Sequence, residues 1–361
     1  MIIAVLVFLL VFSIVVLVHE LGHYYFAIKA GVRVEEFGFG LPPRIWGRKK
    51  GGTIYSLNLI PFGGFIRLYG ESEEFTKDKK SFISKTPGQK FGIVIGGVLM
   101  NFVLGLVVMM IGFWLGMPPL VSAVANYTKD ANQIEARILV VDTVKDSAAT
   151  KAGLLAGDYI LSADEQNFAD PVTFKNFIQQ RAGKATLLSV KRGQQTVALT
   201  ITPVKNKDGV TEIGVLLDQS IDKVHYIWWQ VPWIALQETA KVTGLVVISI
   251  ANLVYRIFAT ASLPAELSGP VGIAKITADM VRLGWLRVVQ FLIFLSINLG
   301  VINLVPFPGL DGGRVVFVAA EWLRRGKRVP GHIENVVNMV GFFLLIALIA
   351  VVTYKDILKL I

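Results

Sequence analysis

The chain has 361 residues, of which 53% are hydrophobic and 17% are charged, and its formal net charge is +10. This composition excludes a water-soluble enzyme and indicates a protein that crosses a membrane several times. The lack of cysteine excludes disulfides and thiolate metal ligands.

Four segments without Asp, Glu, Lys or Arg are long enough to cross a hydrocarbon core about 30 Å thick. They are residues 1–18, 91–116, 288–310 and 335–354. The first segment has the apolar character of a secretory signal peptide, but it lacks a basic start and a small-residue cleavage site. We therefore predict that it is retained as a membrane span.

The first span ends in the pentapeptide His19-Glu20-Leu21-Gly22-His23. On a helix, His19 and His23 lie one turn apart on the same face, so both imidazoles can bind one Zn²⁺ while Glu20 acts as general base. Ionisable groups near membrane depth are costly and usually functional. The motif therefore predicts a catalytic zinc site at or inside the membrane edge. The alternative is a helix end without metal that reaches the lipid headgroups.

The segment between the first two spans is rich in glycine and proline. Within residues 53–70, two apolar runs flank Pro61-Phe62-Gly63-Gly64, which predicts a β-hairpin that turns at these four residues. Non-helical backbone is tolerated at membrane depth only where protein or a polar cavity satisfies it. We predict a re-entrant hairpin that reaches toward the zinc site and can pair with an extended substrate. An ordinary interfacial hairpin is the alternative.

The second span contains Gly96, Gly97 and Asn101. Small residues allow two helices to approach closely, and an asparagine in lipid needs a hydrogen-bonding partner. We predict that this span packs against the first helix near the zinc site. Packing without any role in the site is the alternative.

A soluble module is predicted between residues 136 and 204. Its patterns predict a strand at 138–144, a short helix at 147–154, a strand at 157–161, a helix at 171–181 and a hairpin over 187–202. The string Ala-Gly-Leu-Leu-Ala-Gly-Asp-Tyr-Ile-Leu resembles bacterial PDZ domains. The loop expected to hold a peptide carboxylate falls near Ile134–Leu139 and has no glycine, so peptide binding and steric sizing of substrates both remain open.

Residues 226–258 form an aromatic, apolar stretch that begins with three tryptophans. The uncharged run between Lys241 and Arg256 covers only residues 242–255. A run of this length is short for a membrane span. We predict an amphipathic helix at the outer interface, anchored by the tryptophans. A fifth span is the alternative.

Basic residues indicate the orientation. Residues 29–90 contain 12 basic and 6 acidic residues, whereas residues 117–287 contain 17 basic and 15 acidic residues. By the positive-inside tendency, the first connection and the basic loop 314–334 are cytoplasmic and the long middle segment is outside. The net charge therefore reflects topology, and we predict no nucleic-acid binding.

A catalytic zinc site needs a third protein ligand. Asp311 follows the third span, and the glycines and prolines around it disfavour a regular helix and can aim one side chain into the helix bundle. The first and third spans run in the same direction, so the pentapeptide and Asp311 reach the same cytoplasmic edge. His225 lies outside by this topology, and His332 lies in a basic loop. A solvated turn is the alternative for Asp311.

The pentapeptide, the string Asn-Leu-Gly-Val-Ile-Asn-Leu-Val-Pro-Phe-Pro-Gly-Leu-Asp-Gly-Gly at residues 298–313, and the PDZ-like insert together resemble the bacterial site-2 protease family, of the regulator-of-sigma-E protease type. The resemblance covers nearly the whole chain. It implies a zinc-dependent intramembrane endopeptidase of the bacterial inner membrane, whose substrates are single-span membrane proteins already shortened outside. The implied zinc ligands are His19, His23 and Asp311, the implied base is Glu20, and the implied substrate contacts are Asn303, Gly63 and Gly64.

The predicted fold is a polytopic α-helical membrane protein with four transmembrane helices, a membrane-associated β-hairpin and one inserted extracytoplasmic PDZ-like α+β domain. Several family members carry two such domains in tandem, which leaves substrate sizing open here. The predicted segments are a first transmembrane helix 1–28, a cytoplasmic-side loop 29–90 with the hairpin 53–70, a second transmembrane helix 91–116, the PDZ-like domain 120–218, an interfacial amphipathic region 226–286, a third transmembrane helix 287–313, a cytoplasmic loop 314–334 and a fourth transmembrane helix 335–354.

Two other classes of function compete with the protease. A membrane scaffold could bind peptides through the PDZ-like domain while its zinc site is only structural. A metal transporter could use the same three ligands as a relay, but it would need polar residues along several spans, and the second and fourth spans offer few.

Overall fold

The computed structural model describes residues 2–71, 78–121, 134–168, 170–193, 195–206, 209–260 and 269–358. The chain divides into two compact units, residues 1–111 with 235–361 and residues 112–234. In chain order the elements are α1 (Ile2–Lys29), β1 (Val34–Lys50), β2 (Thr53–Leu68), α2 (Pro87–Trp114), β3 (Ile134–Thr143), α3 (Ala148–Lys151), β4 (Tyr159–Ala163), β5 (Gln166–Asn167), α4 (Pro171–Gln179), β6 (Thr186–Arg192), β7 (Gln195–Ile201), β8 (Val204–Lys205), β9 (Thr211–Glu212), β10 (Val215–Val224), α5 (Val231–Thr260), α6 (Pro270–Leu283), α7 (Trp285–Leu304), α8 (Asp311–Leu323) and α9 (Gly331–Leu358).

Five helices in the described part of the chain are long and apolar enough to cross a membrane. Four of them, α1, α2, α7 and α9, contain or overlap the four charge-free segments. The fifth candidate is Val231–Arg256 in α5. A search for charge-free segments misses it because Glu238 and Lys241 lie in its first half, although Glu238 is fully buried within the protein.

The β-structure that follows α1 differs from the predicted hairpin. The chain reverses direction between residues 57 and 64, because residues 54–57 run parallel to residues 36–39 whereas residues 64–68 run antiparallel to them. The turn that joins β1 to β2 lies at Gly51 and Gly52, whose φ angles are +60° and +92°. Glycine adopts such positive φ angles without a steric penalty, so this pair makes the tighter turn. The predicted reversal near residues 61–64 agrees with the register, but the two arms do not form a hairpin with each other, because residues 34–39 lie between them.

The register of this sheet leaves one segment at its edge. Residues 34–39 pair with residues 64–68 on one side and with residues 54–57 on the other. Residues 64–68 pair with no further segment among the residues that the structure describes. The last part of β2 is therefore a strand edge with free backbone donors and acceptors.

Helices α1 and α2 approach each other through glycines. A Cβ atom at Gly22 would collide with the carbonyl of Gly96, and a Cβ at Gly96 would lie 2.9 Å from the carbonyl oxygen of Gly22. Backbones can come this close only where neither residue has a side chain. The prediction that the second span packs against the first is confirmed.

Residues 112–234 contain an antiparallel sheet with the strand order β10-β3-β4-β6-β7, and β5 pairs with β4. Its core includes Ile138, Val140, Ile160, Leu188 and Val190, all fully buried. The predicted strands, the helix near residues 171–181 and the hairpin over 187–202 are confirmed. The predicted carboxylate-binding loop near residues 134–139 is wrong, because this segment belongs to β3 and pairs with β10.

Candidate metal centre

Three potential metal ligands converge within the unit that contains the long apolar helices. The Nε2 atoms of His19 and His23 lie 3.0 and 3.2 Å from Asp311 Oδ2 and 3.1 Å from each other. A tetrahedral zinc with bonds of about 2.0–2.1 Å separates its ligand atoms by about 3.3 Å. The near-equilateral triangle therefore fits one zinc ion held by these three atoms.

The state of the Asp311 carboxylate supports the same fit. Its Oδ2 atom is buried, and within the described residues it accepts no hydrogen bond of normal geometry. A buried polar atom without a hydrogen-bond partner is rare in native structures, and a role in binding an ion is one of its recognised causes. The structure thus brings together the three side chains that the sequence singled out.

Helix α1 supplies both histidines, and α2 orients one of them. His23 Nδ1 donates a hydrogen bond to the carbonyl of Ile93 at 2.8 Å. This bond fixes the tautomer, because the proton stays on Nδ1 and the lone pair of Nε2 points toward the metal position.

His19 receives its support from Asn101. The side-chain amide of Asn101 is fully buried and lies 3.2 Å from His19 Nδ1, while Asn101 Oδ1 has no hydrogen-bond partner in the described structure. Amide oxygen and nitrogen are interchanged by a half-turn of the group. With Oδ1 toward His19, the amide accepts the Nδ1 proton and leaves Nε2 free for the metal. Asn101 thus has the partner near the site that its position in the span required.

The turn before α8 brings Asp311 to the histidines. Gly309 has a φ angle of +89°, and a Cβ at Gly312 would collide with the carbonyl of Val305. The glycines let the start of α8 pack closely against the backbone at the end of α7, and Asp311 is the first residue of α8. A carboxylate at a helix N-terminus is also favoured by the helix dipole.

A cavity of about 240 Å³ opens beside the triangle. Glu20 lines this cavity but is not part of the ligand cluster. From β2, Phe65, Ile66 and Leu68 line the cavity. Just before them, a Cβ at Gly64 would lie 3.5 Å from Glu20 Cγ and a Cβ at Gly63 would lie 3.9 Å from Val16. The cavity therefore places a carboxylate and a strand edge next to the metal position.

Of the other candidate residues in the sequence, one lies beside the three ligands and two do not. Asn303 Nδ2 lies 3.5 Å from His19 Nε2, so α7 contributes an amide beside the triangle. His225 and His332 are both exposed, and neither belongs to the ligand cluster.

Arg314 is a residue of the site that sequence reasoning missed. It lines the cavity, and its Nη1 lies 2.6 Å from Glu71 Oε1. The Glu71 carboxylate raises the pKa of Arg314, and the Asp311 carboxylate raises it further. The spacing of three residues from Asp311 places both on neighbouring positions of α8 and could have indicated it.

Gly97 is a second residue that the sequence analysis did not assign to the site. A Cβ at Gly97 would collide with His23 Nε2 and lie 2.8 Å from His19 Nε2. Any side chain at this position would enter the volume of the metal site. The Gly96-Gly97 pair, one turn before Asn101, was the available signal.

A helix that presents His-Glu-x-x-His to a third carboxylate, next to a glutamate that is not a ligand, has the architecture of a zinc metalloprotease. Here that helix is itself long and apolar enough to cross a membrane. Residues 7–348 match the model of Peptidase family M50, and the chain belongs to this family. It is a multi-pass membrane metalloprotease, which favours the enzyme over the scaffold and the transporter.

Curated relatives are similar to this chain over nearly their full length. A Clostridium perfringens (strain 13) protein provisionally named a zinc metalloprotease is 32% identical over 356 residues, 97% of each chain. The regulator of sigma-W protease RasP of Bacillus subtilis (strain 168) is 27% identical, with 99% of this chain and 98% of RasP covered. The regulator of sigma-E protease RseP of Escherichia coli (strain K12) is 27% identical, with 98% of each covered. The resemblance proposed from the sequence is confirmed.

The solved structures that match part of the chain include PDZ domains. That of an SdrC-like protein from Listeria monocytogenes is 26% identical and covers 22% of this chain and 85% of the domain, with a TM-score of 0.21. The second domain of a related Listeria protein is 28% identical and covers 23% and 83%, also with a TM-score of 0.21.

Proposed function

We propose that this metalloprotease is a zinc-dependent intramembrane endopeptidase that cuts the transmembrane segments of single-span membrane proteins. The observation that carries the proposal is the ligand triangle of His19, His23 and Asp311, built on and beside helices of membrane-spanning length. A hydrolytic site in such surroundings is suited to peptide bonds that lie in or near lipid.

Each residue of the site has a role in this chemistry. Zn²⁺ held by His19, His23 and Asp311 would supply an acidified water and a polarised scissile carbonyl. The Glu20 carboxylate takes the proton from the attacking water and later delivers it to the leaving amine. Ile93 and Asn101 keep the two imidazoles in the tautomer that leaves each Nε2 free.

Substrate binding is assigned to the strand edge, to Gly63 and Gly64 at its start, and to Asn303. A helical substrate must unwind before cleavage, because its carbonyls are otherwise occupied by helix hydrogen bonds. The free edge at residues 64–68 offers replacement bonds by strand addition, and Gly63 and Gly64 keep the backbone open beside Glu20. The Asn303 amide, next to His19, is placed to bind a substrate carbonyl.

The direction of the helices supports four crossings. The pentapeptide lies in the second half of α1, and Asp311 follows the end of α7, so these two helices must run the same way across the membrane. A crossing by α5 would require a return before α7, and α6 with its 14 residues covers about 21 Å of a core about 30 Å thick. We therefore propose that α5 lies at the membrane interface and does not cross the membrane.

The distribution of charge supports opposite sides of the membrane for the site and the inserted domain. We propose that the site faces the cytoplasm, that the PDZ-like domain is extracytoplasmic in a bacterial inner membrane, and that substrates arrive already shortened outside. The basic excess in residues 29–90 supports this orientation.

The test uses the purified full-length protein and a single-span substrate with and without its ectodomain. Zinc content close to one per chain and cleavage of the short substrate, abolished by a chelator and restored by zinc, are the expected results. Cleavage that survives complete removal of the metal would refute the proposal. A cut that maps outside the transmembrane segment would refute the intramembrane part alone.

A further inference from the structure

An ion pair away from the cavity joins two helices that shape the metal centre. Lys90 is 1% exposed and Glu321 is 7% exposed, and Lys90 Nζ lies 2.8 and 2.9 Å from the two carboxylate oxygens of Glu321. Arg328 lies near the same carboxylate, with its Nε 3.9 Å from Oε2. Buried charges are costly unless they are closely paired, so moving the two helices apart at this point would leave an unpaired buried charge.

The lysine end of the pair belongs to the helix that orients His23. Lys90 lies in the first turn of α2, three residues before Ile93, whose carbonyl accepts the His23 Nδ1 proton. Residues three apart lie on neighbouring positions of a helix surface. A shift of α2 at Lys90 would therefore move the carbonyl that fixes His23.

The glutamate end belongs to the helix that carries the third ligand. Asp311 is the first residue of α8 and Glu321 lies almost three turns later, about 15 Å along the same rigid element. The start of α8 is fixed by the tight turn at Gly309 and Gly312, and the ion pair fixes the far part of the helix. Metal sites need their ligands held within about 0.5 Å and 10–20° of the required geometry, which one anchored end does not provide.

We propose that Lys90 and Glu321 are positioning residues for the metal centre. Their ion pair sets the angle of α8 against α2, and so sets where Asp311 meets the imidazoles of His19 and His23. The inference rests on the proposed zinc site and assigns to it two residues that touch neither zinc nor substrate.

The test measures zinc affinity of the full-length purified protein by competition with a chromogenic chelator, together with thermal unfolding of the metal-free protein. Lys90→Met and Glu321→Gln should each weaken zinc binding by about 10-fold or more, the size of effect seen when groups that support metal ligands are lost. Lys90→Arg keeps a cation opposite Glu321 and should bind zinc within about twofold of the wild type.

A matched control comes from the other unit. Arg192 pairs with the buried Asp158, with Nη2 2.7 Å from Oδ2. Arg192→Met also breaks an ion pair, but at a place unconnected with the ligands. It should lower thermal stability and leave the zinc dissociation constant unchanged.

A folded Lys90→Met or Glu321→Gln protein with wild-type zinc affinity would overturn the proposal and leave the pair a purely stabilising contact. If Lys90→Met does not fold, Glu321→Gln, which keeps the side-chain volume, decides the matter. Failure of both to fold would assign the pair to overall stability and would also overturn the proposal. If instead wild-type protein binds zinc no more tightly than Asp311→Ala protein, it is the proposed zinc site that fails.

Discussion

Two aspartates in this chain have opposite surroundings. Asp158, in residues 112–234, accepts hydrogen bonds from Arg192 at both carboxylate oxygens, and the backbone N–H of Leu155 donates a third. Asp311 Oδ2 is also buried, yet in the described part of the chain it accepts no hydrogen bond and faces two imidazole nitrogens. The first carboxylate stabilises a fold, and the second is arranged for a cation.

The same contrast holds between the two units. Among the residues that the structure describes, the buried side-chain atoms without hydrogen-bond partners all lie in residues 1–111 and 235–361. Asn101 Oδ1 accepts a proton from His19 once its amide is turned, whereas Asp311 Oδ2 stays without a partner at the metal centre. Unsatisfied polar groups are rare in native structures, so the position of Asp311 Oδ2 between two imidazoles points to function rather than to poor packing.

Removing each aspartate gives the largest expected effects. Asp311→Ala deletes one of three ligands, so the purified protein should lose its zinc and its proteolytic activity. Asp158→Ala should keep zinc at the wild-type level and lower the free energy of unfolding by about 2 kcal/mol, because charged hydrogen bonds are lost. Metal analysis and thermal unfolding of both variants measure this. Loss of zinc from folded Asp158→Ala protein would break the comparison.

Glu20→Gln sharpens the comparison by testing a carboxylate that lines the cavity without being a ligand. Activity should fall by about 10²- to 10⁴-fold, because the amide cannot accept the proton of the attacking water. Zinc content should not change, since Glu20 lies outside the ligand cluster. Zinc analysis and the cleavage rate of the Glu20→Gln protein test this prediction. Loss of zinc together with activity would make Glu20 a structural group.

How much the sequence could predict depends on the distance between interacting residues. The histidines lie within one helical turn, and glycines and prolines mark the break before Asp311, so local pattern was sufficient for both. The turn at residues 51–52 was missed although Gly-Gly is a hairpin signal. Its first strand contains Pro42 and Pro43, which argue against a strand, and only pairing with residues 53–68 reveals it.

Long-range electrostatic contacts were beyond sequence reasoning. Lys90 and Glu321 are separated by 231 positions, and each reads alone as an ordinary charge at the end of an apolar segment. Arg314 and Glu71 likewise meet only after β2 and α8 have been placed. Glu238 in α5 is likewise buried only through packing with the rest of the protein. Because the sequence shows its charge but not its burial, α5 was not recognised as a candidate span.

A smaller effect is expected from a methyl group added to α2. Gly97→Ala should weaken zinc binding by about 10-fold or more, because the new Cβ would displace His23 Nε2 and His19 Nε2. Gly92→Ala is the control on the same helix, since its Cβ would make only an ordinary contact, 3.9 Å from Phe26. Chelator competition on the two proteins measures the difference. Equal zinc affinities would show that the helices can separate without cost to the site.

The smallest effect is expected from the two histidines that the ligand cluster leaves out. His225→Ala and His332→Ala should each leave zinc content and cleavage unchanged, because both side chains are exposed and neither belongs to the cluster. Exposed substitutions away from special features usually change stability by no more than about 0.5 kcal/mol. His23→Ala, measured in parallel, should lose zinc. If His332→Ala protein lost zinc while Asp311→Ala protein kept it, the unpartnered carboxylate would no longer mark the cation site, and the contrast with Asp158 would lose its meaning.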